Sequence, residues 1–178
     1  MAPSGDHYIQ VDHSSRGGKM GRVAFPFLLM FLVLMCPATV RADDAATCRT
    51  ASGAEAIAAC SRMIETGTYR GQAQAIIYNN RGKAFVEIGE NDRALQDLNE
   101  AIQIDPNLAV PFSNRGMVWL NIKKYDPAIQ DLNEATRLDP SLVAAYKNRA
   151  VVWLATKRYE SAIADFDKVI QRNSPARC

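Results

Sequence analysis

The second half of the chain repeats itself at a fixed interval of 34 residues. The same residue types recur at the same place in each copy: an Asn-Arg pair followed by a small residue (Asn80-Arg81-Gly82, Asn114-Arg115-Gly116, Asn148-Arg149-Ala150), an alanine (Ala94, Ala128, Ala162) and an aspartate (Asp97, Asp131, Asp165). A fixed period of this size is the signature of stacked supersecondary units. The chain is therefore expected to form an array, and such arrays function by presenting a binding surface.

Each copy contains two stretches with helical spacing. In the first copy, Tyr78, Arg81, Gly82 and Phe85 fall at i, i+3, i+4 and i+7 in one stretch. In the next stretch Leu95, Leu98, Ala101 and Ile102 fall at i, i+3, i+6 and i+7, which also share one helix face. Small residues at matched places let the two helix backbones approach closely. We therefore expect Gly116 to accept alanine but not leucine.

The copies resemble the tetratricopeptide repeat (TPR) family over residues 75–108, 109–142 and 143–176. Large residues occupy the fourth place (Tyr78, Phe112, Tyr146) and the eleventh (Phe85, Trp119, Trp153), and proline stands near the end of the first two copies (Pro106, Pro140). The resemblance implies an all-α, right-handed TPR helical solenoid of three repeats. Residues 43–74 contain a degenerate half-copy, predicted to be helical over 55–65 and to form the N-terminal half-repeat cap.

The N-terminal residues have the layout of a secretory signal peptide. Residues 23–40 carry no charge, Arg22 precedes them, and small residues lead to a cleavage site after Ala42. The first 19 residues are a polar lead, so Met20 is an alternative start. The apolar core is short for a membrane span of roughly 20 residues, although an uncleaved anchor stays an alternative. The layout is similar to that of small exported TPR proteins of Gram-negative bacteria and predicts a periplasmic location.

The cysteine residues agree with export. Cys48 and Cys60 lie close in sequence and would enter an oxidising compartment, which favours a disulfide between them. The alternative is that Cys60 is a small core residue. Cys178 has no partner left in the exported chain, so we expect it to be a free thiol. Pairing between chains is the alternative.

Composition argues against several classes of function. His7 and His13 are the only histidines and both precede the signal, which removes Ser-His-Asp and Cys-His centres and most zinc sites from the exported chain. No phosphate-binding glycine loop is present. Basic and acidic residues balance after Ala42, so no nucleic-acid surface is indicated. The sequence thus predicts a non-catalytic protein without cofactor or metal.

In the TPR family the first helix of each repeat lines a concave groove, and the resemblance assigns a peptide-binding set here. Its polar and sulfur-containing members are Asn79, Asn80, Lys83, Glu87, Ser113, Asn114, Met117, Asn121, Lys147 and Asn148. Apolar positions on the same side are Ile76, Val86, Val110, Leu120, Ala144, Val151 and Leu154. Asn80, Asn114 and Asn148 would form a ladder that holds a peptide backbone, since amides both donate and accept. The alternative is that they bridge adjacent helices.

Three arginines lie sixteen residues before three aspartates at a constant place in the repeat. The pairs are Arg81 with Asp97, Arg115 with Asp131 and Arg149 with Asp165. Because the arginine fork matches a carboxylate, the sequence predicts a ladder of structural ion pairs between the helices of each repeat. A role in facing the ligand is the alternative.

Together these features predict a protein–protein interaction module that binds a peptide or helix in its concave groove within the bacterial cell envelope. The alternatives are a membrane-anchored assembly factor and an accessory or ligand-carrier subunit of an envelope enzyme. The last helix has no polar cap after it, so association between copies through Ile163, Phe166 and Ile170 is also expected.

Overall fold

The computed structural model describes Arg41 and residues 43–173. This part contains eight α-helices and no strand: α1 Asp44–Thr50, α2 Gly53–Glu65, α3 Gly71–Glu87, α4 Asn91–Ile104, α5 Ala109–Asn121, α6 Tyr125–Leu138, α7 Val143–Ala155 and α8 Tyr159–Asn173. The arrangement confirms the predicted all-α solenoid. The expected signal segment, its cleavage site at Ala42 and Cys178 lie outside the described residues. No helix of the described part is long and apolar enough to cross a membrane.

The helices stack in chain order as antiparallel pairs. Each helix packs on its neighbours in sequence, and α1, α3 and α5 each also contact the next odd-numbered helix. Within the described residues, no two even-numbered helices pack against each other. The stack is therefore curved, with the odd-numbered helices on the inside. We call the surface that α1, α3, α5 and α7 form the inner face.

At Gly82 and Gly116 a buried leucine of the partner helix packs directly against the glycine. A Cβ atom added at Gly116 would lie 2.7 Å from Cγ of Leu132, which is fully buried. At Gly82 the equivalent distance, to Cγ of Leu98, is 2.9 Å. The expectation that Gly116 accepts alanine is therefore wrong, because the added Cβ atom would force the Leu132 side chain to move. The third repeat has Ala150 at this place and Phe166 instead of the leucine.

The turns before α5 and α7 are closed by aspartate side chains. Asp105 accepts a hydrogen bond from the backbone N–H of Asn107 (3.1 Å), and Asp139 accepts one from the backbone N–H of Ser141 (2.7 Å). The side-chain and backbone hydrogen bonds from Ser141 lower the pKa of Asp139. These local aspartate turns fix the chain where Pro106 and Pro140 end the preceding helices.

The N-terminal segment differs from the predicted half-repeat. It holds two helices, α1 and α2, followed by the first turn of α3, which begins four residues before the first repeat. The sulfur atoms of Cys48 and Cys60 are at disulfide distance, 2.14 Å, and join α1 to α2. The Arg62 guanidinium also donates to both carboxylate oxygens of buried Asp44, and this hydrogen bonding lowers the pKa of Asp44. The cap is thus a short helix pair fastened twice.

Candidate functional site

The inner face contains a row of exposed apolar side chains. Each of these residues has between 36% and 45% of its surface accessible to solvent: Ile76, Val110, Met117, Val151 and Leu154. They come from α3, α5 and α7, at the helix positions that point away from the even-numbered helices. Contiguous exposed apolar surface on a folded domain marks an interaction site.

Five of the ten residues assigned to the groove are exposed on this face. They are Lys83, Glu87, Met117, Asn121 and Lys147. Asn80 and Asn114 are partly buried, whereas Asn79, Ser113 and Asn148 are buried between helices. The repeat phase identifies the correct side of the helix but not the depth of each side chain.

The buried polar residues bridge neighbouring odd-numbered helices. Nδ2 of Asn114 donates to Oδ1 of Asn79 across α5 and α3 at 2.9 Å. One repeat later, Nδ2 of Asn148 donates to Oγ of Ser113 across α7 and α5 at 3.3 Å. Buried amides of this kind require such partners. The geometry favours the bridging interpretation of Asn114 and Asn148 over a peptide-binding ladder.

The arginines make bidentate ion pairs away from the exposed row. In the second repeat, Nε and Nη2 of Arg115 lie 2.8 and 2.7 Å from the two carboxylate oxygens of Asp131. Nη1 donates to Oδ1 of Asn99 in the preceding repeat at 2.7 Å, and Nε1 of Trp119 donates to Asp131 at 3.0 Å. One arginine therefore joins three helices.

The arginine–aspartate pair recurs in the other repeats, and the indole hydrogen bond recurs in the third, from Trp153 to Asp165. Arg81 pairs with Asp97 and reaches Ser61, and Arg149 pairs with Asp165 and reaches Asn133. Hydrogen bonds to the partner carboxylate raise the pKa of Arg81 and of Arg149 above the usual arginine value. Each guanidinium also lies about 5.5 Å from an aromatic ring three residues earlier, that of Tyr78, Phe112 or Tyr146. All three arginines are thus committed to holding the repeats together.

Three cavities follow one another along the inner face. The first, which we call the Met117 cavity, has a volume of about 260 Å³, lies between α3 and α5 and is lined by Lys83, Val86, Glu87, Asn114 and Met117. Lys83 and Glu87 also line a small depression of about 30 Å³ between α3 and the end of α1. Beyond it, a cavity of about 210 Å³ lies between α1, α2 and α3. Neighbouring cavities share lining residues, and we call the strip of the inner face that they occupy, from the cap to α5, the track.

Charges on this track are few and mostly paired. Oε2 of Glu87 accepts a hydrogen bond from the backbone N–H of Gly53 (3.1 Å), and Oε1 of Glu87 lies 3.6 Å from Nζ of Lys83. Among the described residues, no group of three or more His, Cys, Asp or Glu side chains is placed to hold a metal ion. The chemistry available on the inner face is apolar contact with a small number of hydrogen-bonding groups.

Comparison with protein families agrees with this architecture. The family model described as TPR repeat matches residues 82–121, and the model described as tetratricopeptide repeat matches residues 119–177. No curated protein sequence matches the chain.

Solved structures match the stack over more than half of this chain. The second TPR of Spaghetti (RPAP3), bound to the HSP90 peptide SRMEEVD, is 30% identical, with 57% of this chain and 94% of that chain covered and a TM-score of 0.55. The TPR2B domain of yeast Sti1, in complex with pHsp70, is 28% identical, with 56% and 79% covered and a TM-score of 0.53. MamA, at 21% identity, 66% and 67% coverage and a TM-score of 0.56, shares the fold. The helix pairs, their 34-residue period and these matches together establish that the chain belongs to the tetratricopeptide repeat family.

Proposed function

We propose that this protein is an interaction module whose inner face binds a peptide segment of a partner protein. The observation that carries the proposal is the row of exposed apolar side chains on α3, α5 and α7, which has the cavity beside Met117 near its centre. The two similar TPR domains whose descriptions name a bound partner, those of Spaghetti and yeast Sti1, support a peptide as the ligand.

Met117 is the proposed anchor of the binding surface. Its side chain is about one-third exposed and lines the Met117 cavity, whereas the backbone of α5 beneath it is fixed by buried Pro111, Gly116 and Val118. Methionine is flexible and polarisable, so it adapts to ligand side chains of different shape. A ligand crossing from α3 to α7 would have to pass this residue.

The ligand we propose is apolar on the side that meets the protein. Asn79, Ser113 and Asn148 are engaged between helices, so they do not read the ligand. Exposed Asn121 and Lys147 flank the row and supply polar contacts at its edge. The arginines, which are held by aspartates, stabilise the stack and do not bind the partner. The role we propose is non-catalytic, as is typical of the family.

Replacement of Met117 tests the proposal. Random peptides joined to a carrier protein at both ends are selected on the chain from residue 43 onward, and the affinities of the selected peptides are measured. The Met117→Asp variant is expected to bind them at least roughly tenfold more weakly, because a carboxylate would face an apolar ligand without a partner. Thermal unfolding is measured in parallel, because only about one-third of the side chain is exposed, and the variant must stay folded at the temperature of the binding assay.

The matched control is Gln130→Asp, which places the same charge on the exposed surface of α6. It should leave both affinity and unfolding unchanged. Equal binding by the Met117→Asp variant and the wild type would refute the inner face as the binding surface.

We also propose that the protein acts after export, in the bacterial periplasm. The uncharged stretch 23–40 and the pairing of Cys48 with Cys60 support an oxidising compartment. On this proposal the exported protein begins at Asp43, which mass spectrometry of the chain recovered from the cell envelope would show. Recovery of a chain that still carries residues 23–40 would instead support the membrane-anchored alternative.

A further inference from the structure

The cavity between α1, α2 and α3 is a separate feature of the inner face. Its walls include Met63, Tyr69, Ile76 and Ile77, while Arg49 and Asn80 stand at its polar edge. At about 210 Å³ it is smaller than the roughly 300–1,000 Å³ of a pocket for a drug-sized molecule or cofactor. The cavity is therefore of a size for one large side chain.

The polar edge of this cavity presents hydrogen-bond donors and positive charge. Oδ1 of Asn80 accepts a hydrogen bond from Nδ2 of Asn79 at 3.3 Å, which leaves the Asn80 amide N–H groups as available donors. Arg49 is exposed and has no ion-pair partner among the described residues. Lys83, the next cation along the track, is beside Glu87. An amide and an unpaired guanidinium at one edge suit a carboxylate.

The position of α1 is what creates this site. Arg49 and Cys48 lie on α1 and Met63 lies on α2, so the cavity exists only while the two helices stay packed together. A helix of seven residues is too short to persist alone in water. The Cys48–Cys60 link and the pairing of Asp44 with Arg62 hold it against α2.

We propose that this cavity is an anchor pocket for an internal peptide segment in which a large apolar residue adjoins an aspartate or glutamate. The apolar side chain enters between Met63, Tyr69 and Ile77, and the neighbouring carboxylate meets Arg49 and the Asn80 amide. The proposal rests on the inner face being a peptide-binding surface and assigns the ligand's chemistry at its cap end. It makes α1 a part of the binding site as well as a cap.

Two variants test the pocket without disturbing the core. Arg49→Glu reverses the exposed charge, and Ala73→Trp fills the cavity from an exposed position in the first turn of α3. Ala58→Trp is the matched control, because Ala58 is exposed on α2 and does not line the cavity. The probe is the library of random peptides joined to a carrier at both ends, which contains no free terminal carboxylate.

Peptides selected on the wild type are expected to share a large apolar residue next to an acidic one. Arg49→Glu and Ala73→Trp should each weaken their binding about tenfold or more, and Ala58→Trp should not. If peptides bind in a manner that Met117→Asp abolishes but Arg49→Glu and Ala73→Trp leave unchanged, the anchor pocket is refuted while the proposed function stands. Selected peptides without a shared acidic residue would also overturn it. Failure of the wild type to select any peptide would count against the proposed function itself.

Discussion

Replacing Asp131 with alanine is expected to lower the free energy of unfolding by about 3 kcal/mol, at the lower end of the range for breaking a buried ion pair. The Asp131 carboxylate is almost fully buried and accepts three hydrogen bonds, two from Arg115 and one from the indole of Trp119. Removing it leaves a guanidinium and an indole N–H without their acceptor. The Arg115 side chain stays one-fifth exposed, so water partly compensates the lost contact.

Chemical denaturation of the wild type, Asp131→Ala, Arg115→Ala and the double variant would measure the effect. The two single changes should be strongly non-additive, since either one already breaks the network. Glu134→Ala is the matched control on the same helix, because its pair with Arg137 is exposed and joins residues three apart. Such surface pairs contribute little. An Asp131→Ala variant as stable as Glu134→Ala would show that the ladder does not hold the repeats together.

The period of the sequence could predict the ion pairs because it constrains two partners at once. A residue and its partner that both recur every 34 residues must keep the same relation in each repeat, as Arg81 and Asp97 do in the first and Arg149 and Asp165 do in the third. The helix pairs follow for the same reason. Stacking each pair on the next then buries its apolar side.

Burial along the inner face could not be predicted from the period. Asn79 and Asn80 are neighbours on α3, yet the first is buried and the second is partly exposed. The difference arises because α5 packs against α3 and brings Asn114 into contact with Asn79. A pattern along one helix contains no information on how deeply the next helix covers it. Met117 was assigned to the groove, but its place beside a cavity is a property of the packed pair.

The helix α1 was missed for a different reason. Cys48 lies 34 residues before Gly82, so the period extends into this segment, but the turn between α1 and α2 is shorter and the loop between α2 and α3 is longer than in the repeats. The shorter turn and the longer loop offset each other in length, which obscures the match of this segment to a full repeat and therefore the presence of α1. A helix this short also has no apolar period of its own. The position of Cys48, one repeat period before Gly82, was the sequence signal that could have revealed α1.

The second large effect expected is that of removing the disulfide. Replacing both Cys48 and Cys60 with alanine should lower the free energy of unfolding by about 3 kcal/mol in the chain-entropy model, because the link closes a loop over a separation of 12 residues. The loss should be concentrated at the N-terminal end. Repeats in a stack contact mainly their neighbours, so α1 can detach without unfolding α5 to α8.

Hydrogen exchange on the native protein separates these outcomes. In the double alanine variant, amides of α1 should exchange rapidly, those of α2 and the start of α3 should lose part of their protection, and those of α6 should remain protected. Asp44→Asn in the same background removes the charge of the remaining fastening, whose carboxylate pKa Arg62 lowers, and should release α1 completely. Unchanged protection of α1 without the disulfide would mean that packing and the Asp44–Arg62 pair are sufficient to hold it, because the disulfide would then add nothing to these contacts. In that case the anchor pocket would persist under reducing conditions, whereas release of α1 would make peptide binding at Arg49 depend on the oxidation state of two cysteines.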